Sequence, residues 1–207
     1  MPSIYQIKPA FQGLLRPIVR QLAAMGVTAN QVTLGAAVLS IAAGVVIAAA
    51  QPSARVWFLL PAVLFLRMAL NAIDGMLARE HGQKSALGAF LNELCDVVSD
   101  AALYLPFALL ADLMPAVVVI VVLLAGLSEM AGVVAIQVGA ERRYDGPMGK
   151  SDRAFAFGLL GFLLGCGVPA GLWMSMVIAA LGFLILVTIA NRMRQALRQV
   201  AQNPEGR

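Results

Sequence analysis

The sequence predicts an all-α fold, an integral membrane bundle of six transmembrane helices preceded by an amphipathic interfacial helix. Three observations carry that prediction. Of 207 residues, 60% are hydrophobic and 13% are charged, whereas a soluble domain has about a quarter of its residues charged. Six apolar runs follow one another, most of them near the roughly 20 residues that a spanning helix needs. The lysines and arginines collect in alternate connections between those runs.

The elements follow in order. Over residues 4–22, Ile4, Ile7, Phe11, Leu14, Leu15, Ile18 and Leu22 stand at helical spacing, with Lys8, Arg16 and Arg20 elsewhere. That is the pattern of an interfacial helix, here bent at Pro17. The apolar runs cover residues 32–50, 56–77, 87–110, 115–138, 154–168 and 170–190. The first is long for the apolar region of a signal peptide and five more follow it, so it reads as a span. A Gly-Val-Pro-Ala turn at 167–170 makes the last two a tight helical hairpin.

Charge sets the orientation. Lys8, Arg16 and Arg20 precede the first run, and Arg79 and Lys84 follow the second. Arg142, Arg143, Lys150 and Arg153 follow the fourth, and Arg192, Arg194, Arg198 and Arg207 follow the sixth. The opposite side shows only Arg55. Basic residues gather on the cytoplasmic side of inner-membrane proteins, so both termini are expected there. The chain thus divides into a cytoplasmic interfacial helix over 1–30, a six-helix membrane domain over 31–191 and a basic cytoplasmic tail over 192–207. The net charge of +4 flanks apolar runs and forms no soluble stripe, which argues against a nucleic-acid partner. Cys95 and Cys166 fall in apolar runs and read as buried small hydrophobes.

Ionisable residues within a span are costly, roughly 2.5–3.5 kcal/mol each, and persist where they have partners or a task. The second run carries Arg67, Asn71 and Asp74 and ends at Arg79. The third carries Asn92, Glu93, Asp96 and Asp100, and the fourth carries Glu129. Asn71 and Asp74 share a helix face with Arg67 one turn away, while Asn92, Asp96 and Asp100 repeat every turn. Two oxygen-rich stripes joined by a short loop would face each other as an antiparallel pair. Such a convergence suits a hard cation (Mg²⁺, Mn²⁺ or Ca²⁺) and not zinc, since His81 stands alone in a loop. Polar helix-packing contacts and an ion pathway use the same residue types.

The stretch Asp74-Gly75-x-x-Ala78-Arg79, followed by Gly88, Asn92 and Asp96, resembles the signature of the CDP-alcohol phosphotransferases. That signature reads D-x-x-D-G-x-x-A-R, a fixed gap, then G-x-x-x-D-x-x-x-D. Thr28-Ala29-Asn30 is similar to the T-P-N that precedes the family's first span. Where the family carries four aspartates, this chain has Asn71, Asp74, Asn92 and Asp96. An amide oxygen binds a hard cation but brings no charge, so a weaker or single metal site is expected, with Asp100 one turn on to restore part of the charge.

The resemblance implies attack of an alcohol on a CDP-linked phosphorus with release of CMP, by a metal-dependent phosphatidyltransferase of phospholipid synthesis in the bacterial inner membrane. It implies Mg²⁺ or Mn²⁺ as cofactor, a CDP-linked lipid donor and a small polar alcohol acceptor. Asp96 takes the general-base position, and Asn71, Asp74, Asn92, Asp96 and Asp100 form the metal set. Asn71, Asp74, Gly75, Ala78, Arg79 and Gly88 form the CDP site. The loop over 146–153 resembles the region where relatives hold an acceptor phosphate, which points to Lys150 and Arg153; at the sequence level a positive-inside role fits them as well. Gly158, Gly161 and Gly165 permit close helix approach, for which intrachain packing and a homodimer interface both fit. Glu129 fits either a cavity wall or a partner for Arg67.

Overall fold

A computed structural model describes residues 4–51 and 53–202, with side chains from Phe11 onward. The interfacial positions Ile4, Ile7 and Lys8, and Arg207 of the tail, have side chains outside that described set. Among the described residues seven helices follow in order: α1 (Ile4–Ala24), α2 (Ala29–Ala49), α3 (Leu59–Glu80), α4 (Ala86–Tyr104), α5 (Pro115–Gln137), α6 (Lys150–Gly165) and α7 (Leu172–Gln202). A 3-10 turn over Ala54–Phe58 leads into α3, and another over Leu105–Leu109 follows α4. No strand occurs among the described residues.

Local chemistry sets the ends. Thr28 and Gln31 cap α2 reciprocally: the Gln31 N–H donates to Thr28 Oγ1 at 3.2 Å, and the Thr28 N–H donates to Gln31 Oε1 at 2.9 Å. Ser85 Oγ accepts the Gly88 N–H at 2.9 Å at the start of α4. Pro106 lacks an N–H and crowds the preceding turn, so the expected run over 87–110 is α-helical only to Tyr104. Gly167 (φ 85°) closes α6: its N–H reaches the Leu164 carbonyl at 2.9 Å and the Val168 N–H reaches the Leu163 carbonyl at 3.0 Å. The hairpin turn is therefore where the sequence puts it.

Four segments among the described residues are long and apolar enough to cross a membrane: Ala29–Ala49, Ala54–Glu80, Pro115–Gln137 and Leu172–Gln202. Of the other two expected spans, α4 carries Glu93, Asp96 and Asp100, and α6 is 16 residues long. Helix α1 continues through Pro17. Helix α7 continues to Gln202, so residues 192–202 of the expected tail extend the last helix.

The helices build two compact units. One comprises the chain up to Ala42 together with Ala62–Ser99, and the other Ala43–Pro61 together with the chain from Asp100. In the first, Leu15 and Val19 of α1 pack with Val32 of α2 and with Ile73, Met76 and Leu77 of α3. Leu14 and Ile18 remain exposed, so the apolar stripe of α1 is divided between the core and the outside. Arg16 meets Glu80 at 3.0 Å, a surface pair of little energetic weight.

In the second unit α5 packs along α7. Tyr104 stacks on Phe157 at 4.0 Å, and Trp57 and Phe107 lie 4.6 Å apart. A side chain at Gly161 would strike Leu60, and one at Gly165 would strike Phe58. The glycine series on α6 therefore serves intrachain packing at both of those positions.

Candidate functional site

In the first unit a cavity of about 490 Å³ opens between the start of α2, the end of α3 and the start of α4. That volume is within the range of small-molecule sites. Asp74 and Asn92 line it, together with Gly75, Ala78, Arg79 and Gly88. Most of the expected CDP site therefore converges on one space.

The loop between α3 and α4 is held in place by Gln83. Its Oε1 accepts the Ala29 N–H at 2.6 Å, and its Nε2 donates to the Val27 carbonyl at 3.3 Å. The start of α2, otherwise rich in unpaired N–H donors, is thus tied to this loop at the cavity rim.

Glycine has a specific purpose at two points. A Cβ on Gly75 would lie 2.9 Å from Arg79 Nη2, so the bare backbone makes room for the guanidinium to fold back over α3. A Cβ on Gly88 would lie 2.8 Å from Asn30 Oδ1, so the Thr28-Ala29-Asn30 stretch reaches the start of α4. Lys84 joins Arg79 at the cavity, giving two cations in reach of an anionic ligand.

Asp74 is buried, and its Oδ2 accepts from Thr33 Oγ1 at 2.8 Å. One turn along each helix, Asp96 Oδ1 accepts from Arg67 Nη2 at 3.2 Å and from Asn71 Nδ2 at 3.4 Å. Arg67 Nη2 also reaches the Asp96 carbonyl at 3.0 Å. The two polar stripes on α3 and α4 thus face each other, as their spacing predicts.

The donor chemistry accommodates a hard cation. Asp74, Asp96, Asn71 and Asn92 offer only oxygen to a metal, two of them charged. Among the described residues no three His, Cys, Asp or Glu side chains converge. A set of this kind suits one Mg²⁺ or Mn²⁺ ion better than a pair. Glu93, absent from the expected site, lines the same cavity and adds a carboxylate there.

The second unit holds its own charged cluster. Arg153 at the start of α6 is 1% exposed. Its Nη2 donates to Glu129 Oε1 at 2.9 Å and to Asp100 Oδ2 at 3.2 Å, and its Nη1 donates to Ser128 Oγ at 3.1 Å. Arg192 of α7, expected in the tail, is also buried. Its Nη1 donates to the Ser128 carbonyl and lies 3.5 Å from Glu129 Oε2. Arg142 Nη2 reaches the same oxygen at 3.5 Å. Glu129 therefore pairs with Arg142, Arg153 and Arg192, and Asp100 faces a guanidinium.

The loop before α6 is pinned to α7. The Met148 N–H donates to Thr188 Oγ1 at 2.9 Å. Gly146 (φ 129°) lies against Thr188, where a Cβ would collide with its backbone. Lys150, at the first position of α6, is half-buried.

Buried polar side chains on long apolar helices define an integral membrane protein. The chain belongs to the CDP-alcohol phosphatidyltransferase family, whose sequence profile matches residues 26–190. It is 45% identical over 201 residues to the inner membrane protein YnbA of Escherichia coli, covering 97% of this chain and 99% of that one. It is 33% identical to the phosphatidylinositol phosphate synthase of Corynebacterium glutamicum over 50% of this chain and 45% of that protein. The fold is similar to that of the Mycobacterium tuberculosis phosphatidylinositol phosphate synthase solved with CDP-DAG bound. The TM-score is 0.72 at 21% identity, covering 87% of this chain and 92% of that one. A second structure of that enzyme, in complex with manganese and citrate, gives a TM-score of 0.73 at 22% identity, with 87% and 88% covered.

Proposed function

We propose that this protein transfers a phosphatidyl-type group from a CDP-linked lipid, CDP-diacylglycerol, to a small polar alcohol and releases CMP. The observation that carries the reading is the cavity in which Asp74 and Asn92, from two helices, meet Arg79 and Lys84 over the small residues Gly75, Ala78 and Gly88. Diphosphate needs cations, a bound metal needs oxygens, and a flat base needs missing side chains. One space supplies all three.

Asp74, Asn71, Asn92 and Asp96 are the residues that would hold Mg²⁺ or Mn²⁺, which when bound neutralises diphosphate charge and makes the phosphorus more electrophilic. Arg79 faces the donor diphosphate. Asp96 takes the proton of the acceptor hydroxyl as its oxygen bonds to the lipid-bearing phosphorus and the bond to CMP breaks. Arg67 and Asn71 orient the Asp96 carboxylate for that transfer. Asp100, bound by Arg153, serves better as that arginine's partner than as a metal ligand. Lys150 and Arg153 at the start of α6 remain the residues proposed, from the resemblance, to hold the acceptor.

The proposal extends to topology. Six spans, with α4 and α6 as the two polar or short ones, and α1 lying at the interface with Leu14 and Ile18 toward lipid, put both termini in the cytoplasm. Residues 1–30, 31–191 and 192–207 keep the interfacial, membrane and basic segments proposed from sequence, the last now entered through α7.

Purified protein in lipid, given CDP-diacylglycerol, Mg²⁺ or Mn²⁺ and a panel of alcohols, is expected to release CMP only when an alcohol is present. CDP-lipid binding without CMP from any alcohol would favour a binding protein that no longer catalyses, and an absence of binding would overturn the site. A further expectation concerns Thr33. Thr33→Val removes the donor that orients Asp74 and should weaken Mn²⁺ binding about tenfold, read by titrating free Mn²⁺ by electron paramagnetic resonance. Unchanged affinity would separate Asp74 from the metal.

A further inference from the structure

We propose that Gln83 is a positioning residue for the donor. By tying the α3–α4 loop to the start of α2, it holds the cationic rim of the cavity in place before a diphosphate-bearing ligand arrives. The identity of that ligand rests on the transferase reading. Every residue involved belongs to the first unit.

The loop has little else to hold it. Residues 81–85 read His-Gly-Gln-Lys-Ser and carry no aliphatic side chain to bury. Gly82 turns the chain with φ 68°, a backbone state that glycine enters without steric cost. Of these residues Gln83 alone is half-buried, and the rest are exposed. Its Oε1 accepts the Ala29 N–H at 2.6 Å, and its Nε2 donates to the Val27 carbonyl at 3.3 Å. An N–H only donates and a carbonyl only accepts, so the two ends of one amide match the pair.

That tie matters because of what the loop carries. Lys84 follows Gln83 directly, and it lines the cavity with Asp74, Arg79 and Asn92. Lysine is a point charge on a flexible stem, so its use to a diphosphate depends on where its backbone stands. A loop ordered only as the ligand binds subtracts that ordering from the affinity, and a loop fixed beforehand does not.

Ala29 supplies the other half of the device. It is the first residue of α2, where an N–H has no acceptor within the helix. Proline, which the T-P-N pattern has at this place, carries no N–H. Alanine therefore gives the loop an anchor that proline would withhold.

Two variants test the tie. Ala29→Pro removes the donor to Gln83 Oε1 and suits the first position of a helix, so Tm in detergent should hold or rise. Gln83→Leu removes both bonds. Isothermal titration of CDP-diacylglycerol into the full chain should show Kd rising about tenfold in Gln83→Leu and at least about threefold in Ala29→Pro. In the CMP-release assay KM for the donor should rise with it, while kcat at saturating donor stays within about twofold.

Unchanged Kd in both variants overturns the proposal and leaves the transferase reading standing. Weaker binding by Gln83→Leu alone, with Ala29→Pro binding as the wild type does, overturns it too. If the wild type binds no CDP-diacylglycerol, the transferase reading fails, and titration of inorganic pyrophosphate decides this one. Weaker pyrophosphate binding by both variants than by the wild type upholds it, and equal or absent binding overturns it.

Discussion

Asp96→Asn is expected to slow CMP release by at least about a hundredfold, the lower range of what a positioned general base contributes. The substitution keeps size and shape, so the amide oxygen still accepts from Arg67 Nη2 and Asn71 Nδ2, which now lie at 3.2 Å and 3.4 Å. The fold and the cavity around Asp74 and Asn92 should therefore survive, and CDP-diacylglycerol should still bind. What disappears is a carboxylate able to take the proton of the acceptor hydroxyl. The signature is a fall in kcat with little change in KM for the donor. Single-turnover CMP release with saturating donor and acceptor measures it. Retained turnover would place the base elsewhere, and Glu93 at the same cavity would be the next residue to test.

The sequence made the α3 and α4 stripes legible because their information is local. Spacing along one helix sets the face, so Asp74 with Asn71 and Asn92 with Asp96 were readable, as was the glycine turn at Gly167. Contacts between distant segments were not. Thr33 meets Asp74 across 41 positions, and no periodicity in α2 marks it among its apolar neighbours. Gln83 looked like one more loop residue, yet it ties the α3–α4 loop to the start of α2.

Arginine was the hardest residue to read. Arg142, Arg153 and Arg192 all stand in basic stretches that the positive-inside rule explains without further function. Only the fold shows that Arg153 and Arg192 are buried around Glu129. Charge composition says that a cation is present, not which way its side chain turns. The same ambiguity applied to Gly75, which reads as space for a nucleotide and also proves to be space for Arg79.

Arg153→Met should then be the most destabilising single change in the second unit, by roughly 3–5 kcal/mol. Methionine fills much of the arginine's volume, so the loss is mainly one of charge and hydrogen bonding. Asp100 loses the guanidinium at 3.2 Å, Glu129 its nearest cation at 2.9 Å, and Ser128 Oγ a donor at 3.1 Å. Thermal unfolding in detergent should show the drop in Tm. Adding Asp100→Asn should recover part of it, because Asp100 is then neutral and Glu129 keeps Arg142 and Arg192 at 3.5 Å.

That recovery separates two kinds of role. If Arg153 only balances its carboxylates, the double variant regains both stability and CMP release. If its guanidinium also faces the acceptor, stability returns while kcat/KM for the alcohol stays low. The second outcome is expected, since the double variant has no Arg153 guanidinium to offer the acceptor. Recovery of full activity with stability would confine Arg153 to the scaffold.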